Sequence, residues 1–356
     1  MKKILVVVCT ITLLGLAACN KDKDNDNGQN TEQPTNQGDG IYNPGAKIDQ
    51  IHYSDSATPD EVWQWEGDRV MSISMTAAGG SEQAGISFDY NNEGRIADIF
   101  TTVMGAPIEA ALNYNAQKLI NGASIYAGGT TMATAQVSHN AQQKVNRISL
   151  DVNDEVLAQL VQLISMLLSD SNSIMPFLTT TPSSKFSIDN DAFEANFIWG
   201  GNNVTRMIVN AQLNMTTTLN EIPTGLLQTL VPADYASMIE LAVTLMGDTP
   251  IPVQVTVTDT VDYTYDNQQN PLRGFLGRMS IAALSANNLA TVTGHGKANI
   301  SGSLNLGLMG SLPINYDYPL NDLGNASYSY TYTPDGYPLV VTDADGNTTE
   351  YVYKEQ

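Results

Sequence analysis

The sequence predicts a mainly β fold: an antiparallel meander of repeated β-hairpins that curls into an open or closed barrel, with two apolar helical insertions. Three observations predict it. A ring-x-ring phrase recurs eight times, all copies but the last run into a turn of Asn, Gly or Asp, and the turns lead into runs that alternate apolar and polar residues. Side chains two apart on a strand share a face, and Asn-Gly or Asp-Gly between alternating runs marks a tight hairpin turn.

The copies are Trp63-x-Trp65, Phe88-x-Tyr90, Leu112-x-Tyr114, Val137-x-His139, Phe197-x-Trp199, Tyr263-x-Tyr265, Tyr330-x-Tyr332 and Tyr351-x-Tyr353. Leu112 and His139 stand where the pattern calls for rings. The second members of the first four copies lie 25, 24 and 25 residues apart, which is an internal repeat. Hairpins placed side by side must hide their edges, and curling toward closure achieves this.

The next two intervals exceed the period by about 35 and 41 residues, and each holds a helical insertion. The first, near 153–170, puts Val156, Leu157, Leu160, Val161 and Ile164 at helical spacing after an Asn153 or Asp154 N-cap. The second, near 222–247, has Pro232 in a first turn and Gly247 as a stop. Both are too apolar to stand in water, so they cover the sheet, fill its concave face or contact a ligand. Met166, Met238 and Met246 in their stripes suit a core or an acyl-chain pocket. The interval from 265 to 332 carries extra alternating runs broken by glycine.

The chain begins with Lys2 and Lys3, an apolar run from Ile4 to Leu14, and "LGLAAC" ending at Cys19. Residues 1–18 therefore read as a signal peptide, its apolar run short of the roughly twenty residues of a spanning helix. Leu16-Ala17-Ala18-Cys19 resembles the lipobox of bacterial lipoproteins, which implies lipid on Cys19; two or three acyl chains there would hold the protein firmly to a membrane. Residues 19–45 form a lipidated tether: 20–40 contain no large apolar residue and cannot offset chain entropy. Residues 46–356 form a single β-rich repeat domain.

Asn20 and "KDKD" at Lys21–Asp24 resemble the surface-export signals of Bacteroidota lipoproteins, which implies the outer membrane, on its periplasmic or surface side. With Cys9 removed and Cys19 acylated, no thiol is left for a disulfide, a nucleophile or a metal. Loss of Lys2 and Lys3 leaves 14 basic against 37 acidic residues, a field that repels nucleic acid and anionic headgroups.

The closing stretch "YTYTPDGYPLVVTDADGNTTEYVY" looks like the tyrosine-aspartate repeats of Rhs-type proteins. With the lipobox, the series resembles Bacteroidota outer-membrane lipoproteins of unknown function with a porin-like β fold. The resemblance covers most of residues 50–356 and departs from a true Rhs array in its longer period and at Leu112 and His139. It implies an anchored β protein and supplies no catalytic residue, cofactor or substrate.

Catalytic motifs are missing: His52, His139 and His295 are far apart, and no H-E-x-x-H, phosphate loop or G-x-S-x-G elbow appears. His139 occupies a ring position and is expected to be structural. His295, between two glycines, reads as a strand kink ahead of a ligand contact. Asp189 and Asp191, or Asp259 and Asp262, would serve a glycosidase only if held across a cleft; solvated turns or strand ends account for them equally. "DADGN" at Asp343–Asn347 has carboxylates at calcium spacing, yet Asp-Gly between alternating runs signals a turn.

The leading expectation is thus a non-enzymatic outer-membrane lipoprotein, without cofactor or metal, whose repeat domain binds a partner or ligand. The alternatives are a carrier of lipid or another hydrophobic ligand, and a glycan-binding protein using Trp63, Trp65 and Trp199. If the ring pairs face the core instead, they are cross-strand cement.

Overall fold

The computed structural model describes residues 42, 44–54, 59–76, 82–103, 105–153, 188–218, 244, 248, 250–276, 280–305, 311–320 and 325–355. The signal peptide, Cys19 and the tether to residue 41 lie outside the described residues, as do the helical insertions near 153–170 and 222–247 apart from Asn153 and Thr244.

Strands form where the alternating runs stand. They are β1 (Ile48–Tyr53), β2 (Glu61–Glu66), β3 (Arg69–Thr76), β4 (Glu82–Tyr90), β5 (Ile96–Val103), β6 (Ala106–Tyr114), β7 (Ile120–Ala127), β8 (Thr130–His139) and β9 (Val145–Val152). There follow β10 (Ile188–Gly200), β11 (Asn203–Thr218), β12 (Pro250–Gln269), β13 (Asn287–Asn305), β14 (Ser311–Leu320), β15 (Ala326–Tyr332), β16 (Pro338–Asp343) and β17 (Thr348–Tyr353). One short helix, α1 (Ile281–Leu284), precedes β13.

Every pairing is antiparallel and follows chain order, and β17 returns to pair with β1, Tyr353 opposite Ile48. β14 and β15 lie in succession along β13, so the seventeen strands make a closed 16-strand barrel. The eighth copy of the phrase, Tyr351-x-Tyr353, stands on β17, the strand that closes the ring. Closure removes the unpaired edges that an open meander would expose.

The ring pairs fix which face is inside. Ile48, Ile51, Trp63, Ile73, Phe88, Ile96 and Ile120 are each at most 1 % exposed and share the inner face. The alternate positions Gln64, Ser87, Asp89, Asn113, Asn121, Gln136 and Ser138 are exposed on the outer wall. A membrane-spanning barrel shows the opposite polarity, with an apolar band toward lipid and a polar lumen. Between the two rims the wall is uneven. β10 to β13 run 13, 16, 20 and 19 residues where most other strands run 6 to 10. At roughly 3.3 Å per residue they rise well above the rest of the rim on one side.

The turns opened by Asn91, Asn115 and Asn140 sit at one rim and repeat one hydrogen-bond pattern. Asn91 Oδ1 accepts from the N–H groups of Glu93 and Arg95, both at 3.0 Å, and Asn140 Oδ1 does the same for Gln142 and Lys144. In the Asp343–Asn347 turn at the opposite rim, Asp343 Oδ1 accepts from Asp345 and Asn347, so that carboxylate is committed to the turn. The fourth turn residue has positive φ: glycine supplies it at Gly94 and Gly346, whereas Lys118 (φ 66°) and Gln143 (φ 62°) adopt it against the roughly 1–2 kcal/mol cost of a side chain there.

Candidate functional site

Where each even strand of the first hairpins meets the turn rim, the second ring of its pair fastens the barrel. Trp65 Nε1 donates to the Ile48 carbonyl (2.7 Å), Tyr90 to Val70 (2.7 Å), Tyr114 to Ile96 (2.5 Å) and Trp199 Nε1 to Val145 (2.7 Å). Tyr265 donates to Val204 (2.6 Å) and Tyr353 to Pro338 (2.8 Å), each acceptor opening an earlier strand at the same rim. One copy departs: Tyr330 donates to Leu289 (2.6 Å) and Tyr332 to the Asp266 carboxylate (2.5 Å). Such a bond contributes about 0.5–1.5 kcal/mol. Burial pushes the Tyr90 and Tyr265 hydroxyls up to about 12, which fits them as fasteners and removes them from proton chemistry near neutral pH.

His139 is the copy without a fastener. Its Nε2 is buried and has no hydrogen-bond partner, and the carbonyl in the corresponding place is that of Ile120. Burial holds the imidazole pKa below the ordinary 6.5, so the unfolded chain binds that proton more tightly. The stability this site contributes is full above about pH 6.5 and drains as pH falls toward the depressed folded value. His139→Tyr is expected to remove that acid-side loss and, by reaching Ile120, to add about 1 kcal/mol. Thermal unfolding of both proteins between about pH 5 and 8 checks it; equal slopes would mean that another group titrates.

Inside the same rim, residues 270–276 and 280–286 fold back and fill the end of the barrel. Asn270 pins the segment: its Oδ1 accepts from Leu272 N–H (2.9 Å), and its Nδ2 donates to Ala282 O (2.6 Å) and Ser285 O (2.9 Å). Phe275, 0 % exposed, meets Tyr42, Trp63 and Phe88 with ring centroids 4.7, 4.9 and 5.5 Å away. Tyr42 donates to Pro271 O (2.6 Å). This end is an aromatic core.

The candidate binding site lies on the outer wall, toward the opposite rim. Register places Ser87, Phe100, Glu109 and Tyr126 in one row across β4 to β7. Gly85, Thr102, Pro107 and the Gly128–Gly129 turn leave the space beside that row open, and the basin encloses about 340 Å³. Glu109 thus has a ring as its cross-strand neighbour on each side. Two residues along β5 from Phe100, Asp98 stands opposite Asp89. Burial, and then Asp89, raise the Asp98 pKa. Rings, carboxylates and open backbone make a surface suited to holding a small ligand.

No protein-family model matches this chain, and no curated protein matches it. Among solved structures it is similar to a porin-like protein from Bacteroides uniformis. Identity is 12 %, the TM-score is 0.27, and the match covers 88 % of this chain and 100 % of that one.

The residues singled out in the sequence fall elsewhere in the barrel. Trp63 is 1 % exposed, stacked on Trp65 at 6.4 Å, with its indole N–H on Glu61 (3.2 Å). Trp65 and Trp199 spend their indole donors on backbone carbonyls, and β2 and β10 lie half a turn of the ring apart. The three tryptophans therefore share no one exposed face: the period-two pairs point inward, toward the core, as the cross-strand alternative has it. Asp259 and Asp262, three apart on β12, point to opposite faces. Asp262 lies outside on Arg206 (2.6 and 3.1 Å), and Asp259 lies inside, where burial raises its pKa. They cannot act as one pair. His52, His139 and His295 sit on β1, β8 and β13, and among the described residues no three His, Cys, Asp or Glu side chains could hold a metal.

Proposed function

We propose that this chain is a lipid-anchored, non-enzymatic protein of the outer membrane whose barrel stands in water beside the membrane and binds a ligand or protein partner. The polarity of the wall carries the reading: Gln64, Ser87, Asp89, Asn113, Gln136 and Ser138 face out, and the apolar residues face in. Burying that outer wall in hydrocarbon would strand polar and charged side chains without partners. The signal peptide, the lipobox at Cys19 and the polar tether supply the attachment that such a barrel lacks.

Two substitutions test the reading together. Cys19→Ser is expected to release the folded protein from membranes without detergent. Ser138→Cys, outward on β8, is expected to react with a membrane-impermeant maleimide in the anchored protein. A Cys19→Ser protein that stays in the membrane, with Ser138→Cys protected, would overturn it. A hydrophobic-ligand carrier is the second reading, favoured by the apolar inner face; native mass spectrometry of the released protein separates the two by the presence of lipid at fixed stoichiometry.

A further inference from the structure

We propose that the Phe100–Glu109–Tyr126 basin binds an organic cation, an ammonium or guanidinium group. The inference deepens the ligand-binding reading and rests on its water-exposed outer wall. Glu109 sits between two rings in its row; Asp98, on the adjoining β5, stands opposite Ala111, two residues along β6 from Glu109, and Asp89 faces Asp98 from β4. Like charges opposed across a sheet destabilise it, and Asp89 faces Asp98 directly. None of these three carboxylates pairs with a cation among the described residues. A cation supplied from outside would relieve that repulsion, and the chain's formal charge of −21 draws cations toward it.

The rings specify an organic cation. A bare metal ion favours a shell of oxygen ligands over ring faces, and the described acidic groups form no set that could ligate one. An alkylammonium or guanidinium group offers charge to Glu109 and polarised C–H or N–H to the ring faces. The protein uses the same pairing within itself: Lys47 lies over Trp65 at 5.6 Å, Arg69 over Tyr90 at 5.3 Å and Lys144 over Trp199 at 5.5 Å. At Phe100 and Tyr126 no such internal cation occupies the ring. A volume of about 340 Å³ admits one small molecule or one basic side chain.

Calorimetric titration of the purified full chain with choline tests the site, alongside choline's uncharged carbon analogue, glucose, and a lysine-containing peptide. Choline or the peptide is expected to bind, the peptide alone assigning the cation to a basic side chain of a protein partner. Glu109→Gln and Tyr126→Leu, both outward-facing and keeping bulk, are each expected to weaken binding by about tenfold, a factor in the range of one desolvated cation–ring or charge contact. Unchanged unfolding temperatures for the two variants separate loss of binding from loss of fold. Absence of cation binding, indifference to Glu109→Gln, or equal binding of the carbon analogue would overturn the proposal, and glucose binding in place of choline would reassign the basin to a glycan. Labelling of Ser138→Cys in the same preparation keeps the two levels apart. If it labels and no cation binds, the basin fails and the exposed barrel stands; if it does not label, both fall.

Discussion

Phe275→Ala is expected to destabilise the protein by about 3–5 kcal/mol, the cost of emptying a large aromatic site in a packed core. Phe275 meets Tyr42, Trp63 and Phe88 together, and so joins the segment before β1, the first hairpin and the second hairpin. The cavity left by alanine would be walled by strands fixed through their backbone ladders, which cannot collapse inward to refill it. An unfolding temperature lowered by on the order of 10 °C is the expected readout. Phe275→Leu, which retains most of the volume, should cost clearly less. Equal effects of the two would mean that residues 270–276 lie on the barrel without supporting it.

Ending the chain after Asn347, which removes β17, is expected to abolish the folded state. The lost strand pairs on both sides, with β16 and with β1, and Tyr353 carries the last fastener to Pro338. Two edges would open in a ring that had none, and the loss of a full strand's pairing and burial is set against a total stability of only about 5–15 kcal/mol. Aggregation, loss of near-ultraviolet dichroism and rapid proteolysis are the expected signs. A truncated chain that keeps a cooperative unfolding transition would show that the barrel tolerates an open seam.

The repeat made the fold class legible because its period comes from local geometry. Rings two apart, followed by Asn, Asp or Gly, specify strand, turn and return strand without reference to the rest of the chain. The turns at Asn91, Asn140 and Asp343 hold the predicted chemistry in atomic detail. His139, read as a ring substitute from its position alone, does occupy the fastener site. The fastener itself was not visible: Tyr90 and the carbonyl it binds at Val70 belong to neighbouring hairpins, and only the register between strands brings them to 2.7 Å. The tryptophans stayed open between core cement and a glycan face for a related reason. Alternation tells which residues share a face and is silent on whether that face is core or solvent.

By itself the sequence determined the hairpins, their order, the turn types and the acidic balance, since each depends on residues close together in the chain. The tertiary structure decided the rest. Closure of β17 onto β1 turned the ring pairs inward and left Ser, Asn, Gln and Asp outside, because a closed wall has one enclosed side and apolar side chains gain by filling it. The register between neighbouring strands aligned Phe100, Glu109 and Tyr126 across β5, β6 and β7. Each of those residues is unremarkable in its own strand, and their meeting depends on a register that no single segment encodes.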